Sequence, residues 1–441
     1  MGWKRTGAVA LTTTALAGVA LGQPAQKVTG PIAEYWVSAA TSSGMTMPGA
    51  GGPPAGPPAR GGGFGALGGI GAMMGMGGGG AQHTLTLQLG SSTNPSAAPN
   101  ADHLPPATLK AGPSLPLIGP APVVRTTPPP EDQPQIPREY QRPRGRMLIF
   151  WGCGEHAPPG QPVVMDFAEL AAGRGAENMA ALMRGLNYTP MRPPSPGRNT
   201  TYGAWPNERT RTSVPSDGSL VGDHVIRGNY SPEIRFSLNP GQDFLDPITL
   251  TSNDKNPSGS AQLAWNSVPG ALGYFATVIG ASGGGGRGGR GQDPDVVIWS
   301  SSAGQTAAFS TPDYMSPADV NRLVASHGLL SPQQTNCTVP KVVVDASPTG
   351  LLQLAAYGQE ANFSYPPRPT NRATPWNIEW TVKVRYRSQT GGLLGMTMPG
   401  MGGAMPGMPS GRGAAPPPPP TPQPRGTRPS AADILKGLSL P

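Results

Sequence analysis

The sequence predicts a mainly β protein, with one or two β-sandwich-like domains, a few short helices and long disordered Gly/Pro/Met-rich insertions. Three observations carry this. Short apolar runs recur along the chain, alternating in Thr84-Leu-Thr-Leu-Gln-Leu89 and continuous in Met147-Leu-Ile-Phe-Trp151. Between them lie stretches too rich in Gly and Pro to pack, for the chain holds 64 glycines and 57 prolines among 441 residues. Charged residues make up only 13%, so Ser, Thr, Asn, Gln, Gly and Pro must solvate the surface.

At the start, Lys4 and Arg5 precede an apolar run from Gly7 to Leu21 that ends in Ala20-Leu-Gly22. That order is a secretory signal peptide over residues 1–22, with cleavage expected before Gln23. The run of about 15 residues is short for a membrane span, so the mature chain is expected in the periplasm or secreted, with no transmembrane segment. The net charge of +8 is mild for this length. Arginines cluster at Arg138, Arg142, Arg144 and Arg146 and again at Arg184, Arg192, Arg198, Arg209 and Arg211; scattered solvation is the leading reading of them and attraction of an anionic surface or polysaccharide the alternative, and an envelope protein or a polysaccharide is the expected class of partner. The Arg287-Gly-Gly-Arg290 element is too short, and an exported chain too rarely in reach of nucleic acid, for that class of ligand.

A first mainly β domain is expected over 23–250. Ile32 to Ala40 and His83 to Leu89 form a hairpin whose loop is expanded by the low-complexity insert 44–81, a lengthening with little closure cost. Residues 92–145 are Pro-rich without periodicity and read as a connector extended over the surface. Arg146 to Trp151 and Gln161 to Phe167 flank Pro158-Pro-Gly160 and predict a second hairpin. Met179, Leu182, Met183 and Leu186 predict a helix over Ala176 to Leu186. Glu233 to Leu238 and Pro247 to Thr251 supply short strands.

The second β domain is expected over 258–390, with a Gly-rich insert at 281–294. Its helix begins at the N-cap Ser316, with Pro317 and Asp319 behind it, and stops at Gly328. Strands are expected at Lys341 to Asp345, Leu351 to Tyr357 and Ile378 to Tyr386. A tail over 391–441 is expected to be disordered, ending in a short helix capped by Ser430 and closed by Gly437.

Two resemblances add to this reading. Leu263-Ala-Trp265, Val268-Pro-Gly-Ala271 and Tyr274-Phe-Ala-Thr-Val-Ile279, within 261–302, resemble the opening hairpin of fibronectin type III-like sandwich domains. The resemblance implies that the Trp fills a core and that the Pro-Gly-Ala turn delivers the next strand; it implies a fold and not an activity. More broadly, Met147 to Cys153, Leu220 to His224 and Trp376 to Arg385 resemble segments of uncharacterised exported proteins of proteobacteria. That implies an envelope protein and no particular chemistry.

The chemistry legible in the residues is thin. Cys153 and Cys337 are the two cysteines of a chain bound for an oxidising compartment, so an intrachain disulfide is expected. The hexapeptide Gly-Met-Thr-Met-Pro-Gly occurs at 44–49 and again at 395–400. Its Met45, Met47, Met396 and Met398, with Met401, offer soft thioether sulfur suited to Cu(I), and His83 follows the first copy. Cys153-Gly-Glu-His156 has too few ligands for a zinc site. Asp223 and His224 are adjacent and, on a strand, point to opposite faces, which favours a structural histidine. Gly280-Ala-Ser-Gly-Gly284 matches a nucleophile elbow without its helix, and Gly63-Phe-Gly-Ala-Leu-Gly68 a dinucleotide fingerprint without its strand. No catalytic or cofactor-binding residue is assigned. The leading expectation is an exported cell-envelope protein with a non-enzymatic binding or structural role; the alternatives are a periplasmic Cu(I)-binding protein using its Met-rich segments, and a glycan-active enzyme using dispersed carboxylates.

Overall fold

A computed structural model describes residues 26–44, 80–120, 145–172, 174, 188–282, 295–304 and 312–396. The signal peptide, the helix expected over 176–186, all but the ends of both Gly-rich inserts, and the tail helix lie outside them. In chain order the strands are β1 (Val28–Thr29), β2 (Ala33–Gly44), β3 (Gln82–Ser91), β4 (Ala101–Leu104), β5 (Leu115–Pro116), β6 (Arg146–Trp151) and β7 (Val163–Asp166). Helix α1 (Phe167–Ala171) is followed by β8 (Thr201–Trp205), β9 (Gly222–Gly228), β10 (Ile234–Leu238), β11 (Leu250–Lys255), β12 (Ala261–Trp265), β13 (Ala271–Ser282) and β14 (Asp295–Ser300). Then come α2 (Pro317–Ala325), β15 (Asn336–Val339), α3 (Lys341–Ala346), β16 (Leu351–Tyr365), β17 (Trp376–Asn377) and β18 (Trp380–Leu393).

The fold is mainly β, as the sequence predicts. Its wall is a nine-stranded sheet of order β7-β6-β14-β13-β16-β18-β2-β3-β8. One face of the wall is apolar because every second residue points to it: Tyr35, Val37, Leu87, Val278, Leu354 and Val384 are all at or near complete burial. Two smaller sheets close on that face, β11-β12-β15 and β10-β9-β4-β5, and all three share one core. The opposite face carries α2, whose Val320 and Leu323 pack with Phe275 and Tyr357.

Both expected hairpins are present, β2 with β3 and β6 with β7. The two expected domains share the wall: β2, β3 and β8 from the first pair onward from β18 of the second, and the described residues group into a single compact unit. The segment resembling a fibronectin type III opening is not a hairpin. β12 lies in the three-stranded sheet and β13 in the wall, so the Pro-Gly turn carries the chain across the core, with the Trp265 ring 5.5 Å from that of Tyr274. The Trp does fill the core.

Three local expectations are corrected. The Pro-rich stretch is not merely a surface connector, because β4 and β5 pair there and Leu109, Leu115 and Leu117 enter the main core; prolines and short strands hide the period-two pattern. Lys341 to Asp345 is helix α3, not a strand. Three successive valines favour a strand, but Val343 and Val344 are buried while Val342 is exposed, and Ser347 bonds back to the Val343 carbonyl, so packing overrides propensity. Helix α2 begins at Ser316 as expected, its hydroxyl accepting from the Asp319 N–H at 3.1 Å. Its end comes one residue earlier than expected: His327 takes the left-handed conformation (φ 56°), and Gly328 N–H reaches back to the Leu323 carbonyl at 2.7 Å, a Schellman closure.

Candidate functional site

The sites foreseen in the sequence are dispersed. Cys153, just past β6, is bonded to Cys337 on β15, joining the wall to the three-stranded sheet. Glu155 and His156 are exposed, and the Glu155 backbone carbonyl accepts from Lys341 N–H. Asp223 is exposed and receives the Ser237 hydroxyl, whereas His224 is buried on the opposite face. Among the Met residues, Met396 is 51% exposed; Met45, Met47, Met398 and Met401 lie outside the described residues. Among the described residues no group of three or more His, Cys, Asp or Glu is placed to hold a metal ion.

What the sequence did not reveal is a chain of buried polar groups between the wall and the four-stranded sheet. Tyr35 on β2, His103 on β4 and His224 on β9 are all within 1% of complete burial. The Tyr35 hydroxyl lies 2.8 Å from His103 Nδ1, His103 Nε2 2.9 Å from His224 Nδ1, and His224 Nε2 2.7 Å from the Leu220 carbonyl. A carbonyl only accepts, so His224 carries its proton on Nε2; with both rings neutral, each link then has one direction, Tyr35 to His103 to His224 to Leu220. Burial holds both imidazoles below their ordinary range, that of His103 far below, with His224 adding to the effect. Burial also pushes the Tyr35 hydroxyl well up. Stacked flat on Phe236 at 4.8 Å, His224 is a core residue with every ring nitrogen satisfied.

On the opposite face of the wall stands a ladder of cations. Lys383, Arg385 and Arg387 alternate along β18 with Val382, Val384 and Tyr386, which enter the core. Lys383 pairs with Glu360 at 2.5 Å and Arg387 with Asp313. The guanidinium of Arg385 sits 4.2 Å from the Tyr314 ring centre and 5.1 Å from that of Trp36. Burial pushes Arg385 down, while Tyr314, Glu360 and Asp313 oppose it; burial lifts the Tyr314 hydroxyl to about 12 against those same arginines. The signal for this ladder was present in Thr381-Val-Lys-Val-Arg-Tyr-Arg387, where alternation places the three cations on one face.

No protein-family model and no curated protein matches this chain. Among solved structures it has a likeness to the Fcho1 Mu homology domain of Danio rerio with bound Eps15 peptide, at 7% identity and a TM-score of 0.19, covering 83% of this chain and 98% of that one. So low a score carries no argument about fold or function. Among the described residues no helix is long and apolar enough to cross a membrane.

Proposed function

We propose that this chain is an exported, non-enzymatic binding protein of the cell envelope, whose two methionine-bearing segments leave the sheet from neighbouring strands. The supporting observation is the parallel pairing of β2 with β18, which sets Gly44 opposite Gly391. In sequence, Gly-Met-Thr-Met-Pro-Gly begins at Gly44 and again at Gly395, so both copies start from neighbouring strands at one end of the wall. Parallel pairing needs only a long connection; it does not need the same hexapeptide at both exits. A photo-crosslinking residue in place of Met396 is expected to capture one envelope component in intact cells, and the product should disappear when residues 45–49 are replaced by a Gly/Ser segment of equal length. No product, or one indifferent to that replacement, would overturn the reading.

The same pairing favours a second reading, capture of Cu(I) by Met45, Met47, Met396, Met398 and Met401. β3 returns at this end, with His83 opposite Thr41. Titration of the full chain against a chromophoric Cu(I) chelator should give one site per chain, lost on Met-to-Leu replacement in either copy. Two independent sites, or none, would eliminate it.

A further inference from the structure

We infer that the outer face of the nine-stranded wall carries an anion site centred on Arg385, and that its ligand is the carboxylate of an acidic sugar. The inference is independent of the methionine segments. Arg385 is largely buried between Trp36 and Tyr314, yet its described contacts are the Ser38 hydroxyl, at 2.8 Å from Nε, and the Met191 sulfur, at 3.4 Å from Nη1. No carboxylate of the described residues is within ion-pair distance of it; the two nearby, Glu360 and Asp313, are taken by Lys383 and Arg387. A desolvated cation without an anionic partner is costly.

A second observation points the same way. Arg387 is only 8% exposed and its Nε has no partner, and on the same ladder the buried Oε1 of Glu360 has none. Buried polar atoms of this kind are normally satisfied. Unused guanidinium N–H groups on neighbouring positions of one strand face are complementary to a two-oxygen acceptor, which arginine binds through its planar fork. Three cations against two carboxylates leave one positive charge unmatched, which suits a monoanionic carboxylate better than a dianionic phosphate.

The neighbouring strands extend the site with neutral hydrogen-bonding groups. Arg385 stands opposite Ser38, which stands opposite Thr86; Lys383 stands opposite Trp36, which stands opposite Gln88. The Ser38 hydroxyl already accepts from Arg385 Nε, and the Gln88 amide nitrogen donates to the Pro194 carbonyl and the Tyr202 hydroxyl, so the groups that remain for the hydroxyls of a sugar ring are the Thr86 hydroxyl and the Gln88 amide oxygen, two strand spacings of about 4.8 Å from β18. Lys383, a quarter exposed, and Asp313, half exposed, open the ladder to solvent.

The test is calorimetric titration of the full-length protein with galacturonate, trigalacturonate, galactose and inorganic phosphate. Uronate binding is expected, with galactose and phosphate weaker by about tenfold or more, and Arg385→Gln should weaken uronate by a similar factor while Arg385→Lys falls between. Equal binding of monomer and trimer identifies the single acidic sugar as ligand; binding of the trimer alone identifies the polymer. Both support the site. Should Arg385→Gln not fold, peptide mapping of wild-type protein treated with phenylglyoxal gives the same answer, since uronate should protect Arg385 and galactose should not. Absence of uronate binding, phosphate binding as tight as uronate, or unchanged affinity in a folded Arg385→Gln variant would overturn the inference.

Discussion

The two small sheets close on the same face of the wall but are fixed there by different chemistry. The three-stranded sheet is stapled covalently, Cys337 on β15 to Cys153 beyond β6. The four-stranded sheet is tied by the hydrogen-bonded chain from Tyr35 on the wall through His103 and His224. A staple of the first kind is indifferent to protons and vulnerable to reductant; a tie of the second kind is the reverse. The contrast teaches that one shared core contains two locks with separate keys, so the two halves of the molecule should be separable by solution conditions although they share a sheet.

The largest expected effect is on the covalent side. Removing the disulfide with Cys153→Ser and Cys337→Ser releases a loop spanning 184 residues, for which the chain-entropy account gives a loss of up to about 5 kcal/mol. Guanidinium unfolding of the oxidised and double-variant proteins measures it. An unchanged midpoint would mean that apolar contacts alone hold the three-stranded sheet and would remove half of the comparison.

Acid should act on the other half. Burial lowers His103 far, and His224 less, in the folded chain and so favours their neutral forms, whereas in the unfolded chain they titrate near pH 6.5. Above that pH neither state binds these protons. As pH falls below it, the unfolded state gains protons that the folded state refuses, so stability declines; a histidine still neutral at pH 5 accounts for about 2 kcal/mol. Denaturation at pH 7.5 and pH 5 should show the loss in wild-type and Cys-free proteins alike. A His103→Gln, His224→Gln protein should lose most of the pH slope, and an undiminished slope would place the acid sensitivity elsewhere.

A single-atom change sharpens the same point. Tyr35→Phe removes the donor that the described residues supply to His103 Nδ1 and leaves a buried acceptor unpaired, for a loss of about 1–3 kcal/mol. A variant as stable as wild type would show that Tyr35 contributes packing and not the end of a hydrogen-bonded tie.

The staple was legible in the sequence and the tie was not, for physical reasons. Two cysteines in one chain have one available intrachain pairing, whereas the partners Tyr35, His103 and His224 are separated by 68 and 121 positions and meet only through sheet packing. His103 also sits in the Pro-rich stretch, where β4 is too short to show alternation. Strands with long apolar or alternating runs, β2, β3, β6 and β18, were readable because burial of one face dictates their pattern. The parallel pairing of β2 with β18 was not, since register between distant strands leaves no local mark. For the Arg385 ladder the alternation was visible but the missing counter-charge was not, because Glu360 reaches Lys383 only across the β16–β18 pairing.

The smallest expected effect concerns the third cover, helix α2, which lies on the outer face and is held by neither device. Ser316 caps it, accepting from Asp319 N–H at 3.1 Å and donating to the Asp319 carboxylate at 2.9 Å. Burial alone would raise the Asp319 carboxyl, but hydrogen bonds from Arg322, the Thr189 N–H and the Ser316 hydroxyl together hold it below its ordinary range. Through Thr189, at 3.1 Å, the same carboxylate anchors the segment that brings Met191 onto Arg385. Ser316→Ala removes the cap and should cost about 1 kcal/mol. Because the cap touches neither the disulfide nor the buried histidines, the loss should be the same under reducing and oxidising conditions and at pH 7.5 and pH 5. A loss that changes with either condition would couple the outer cover to the inner ones, and the three covers would then have to be treated as one cooperative lock.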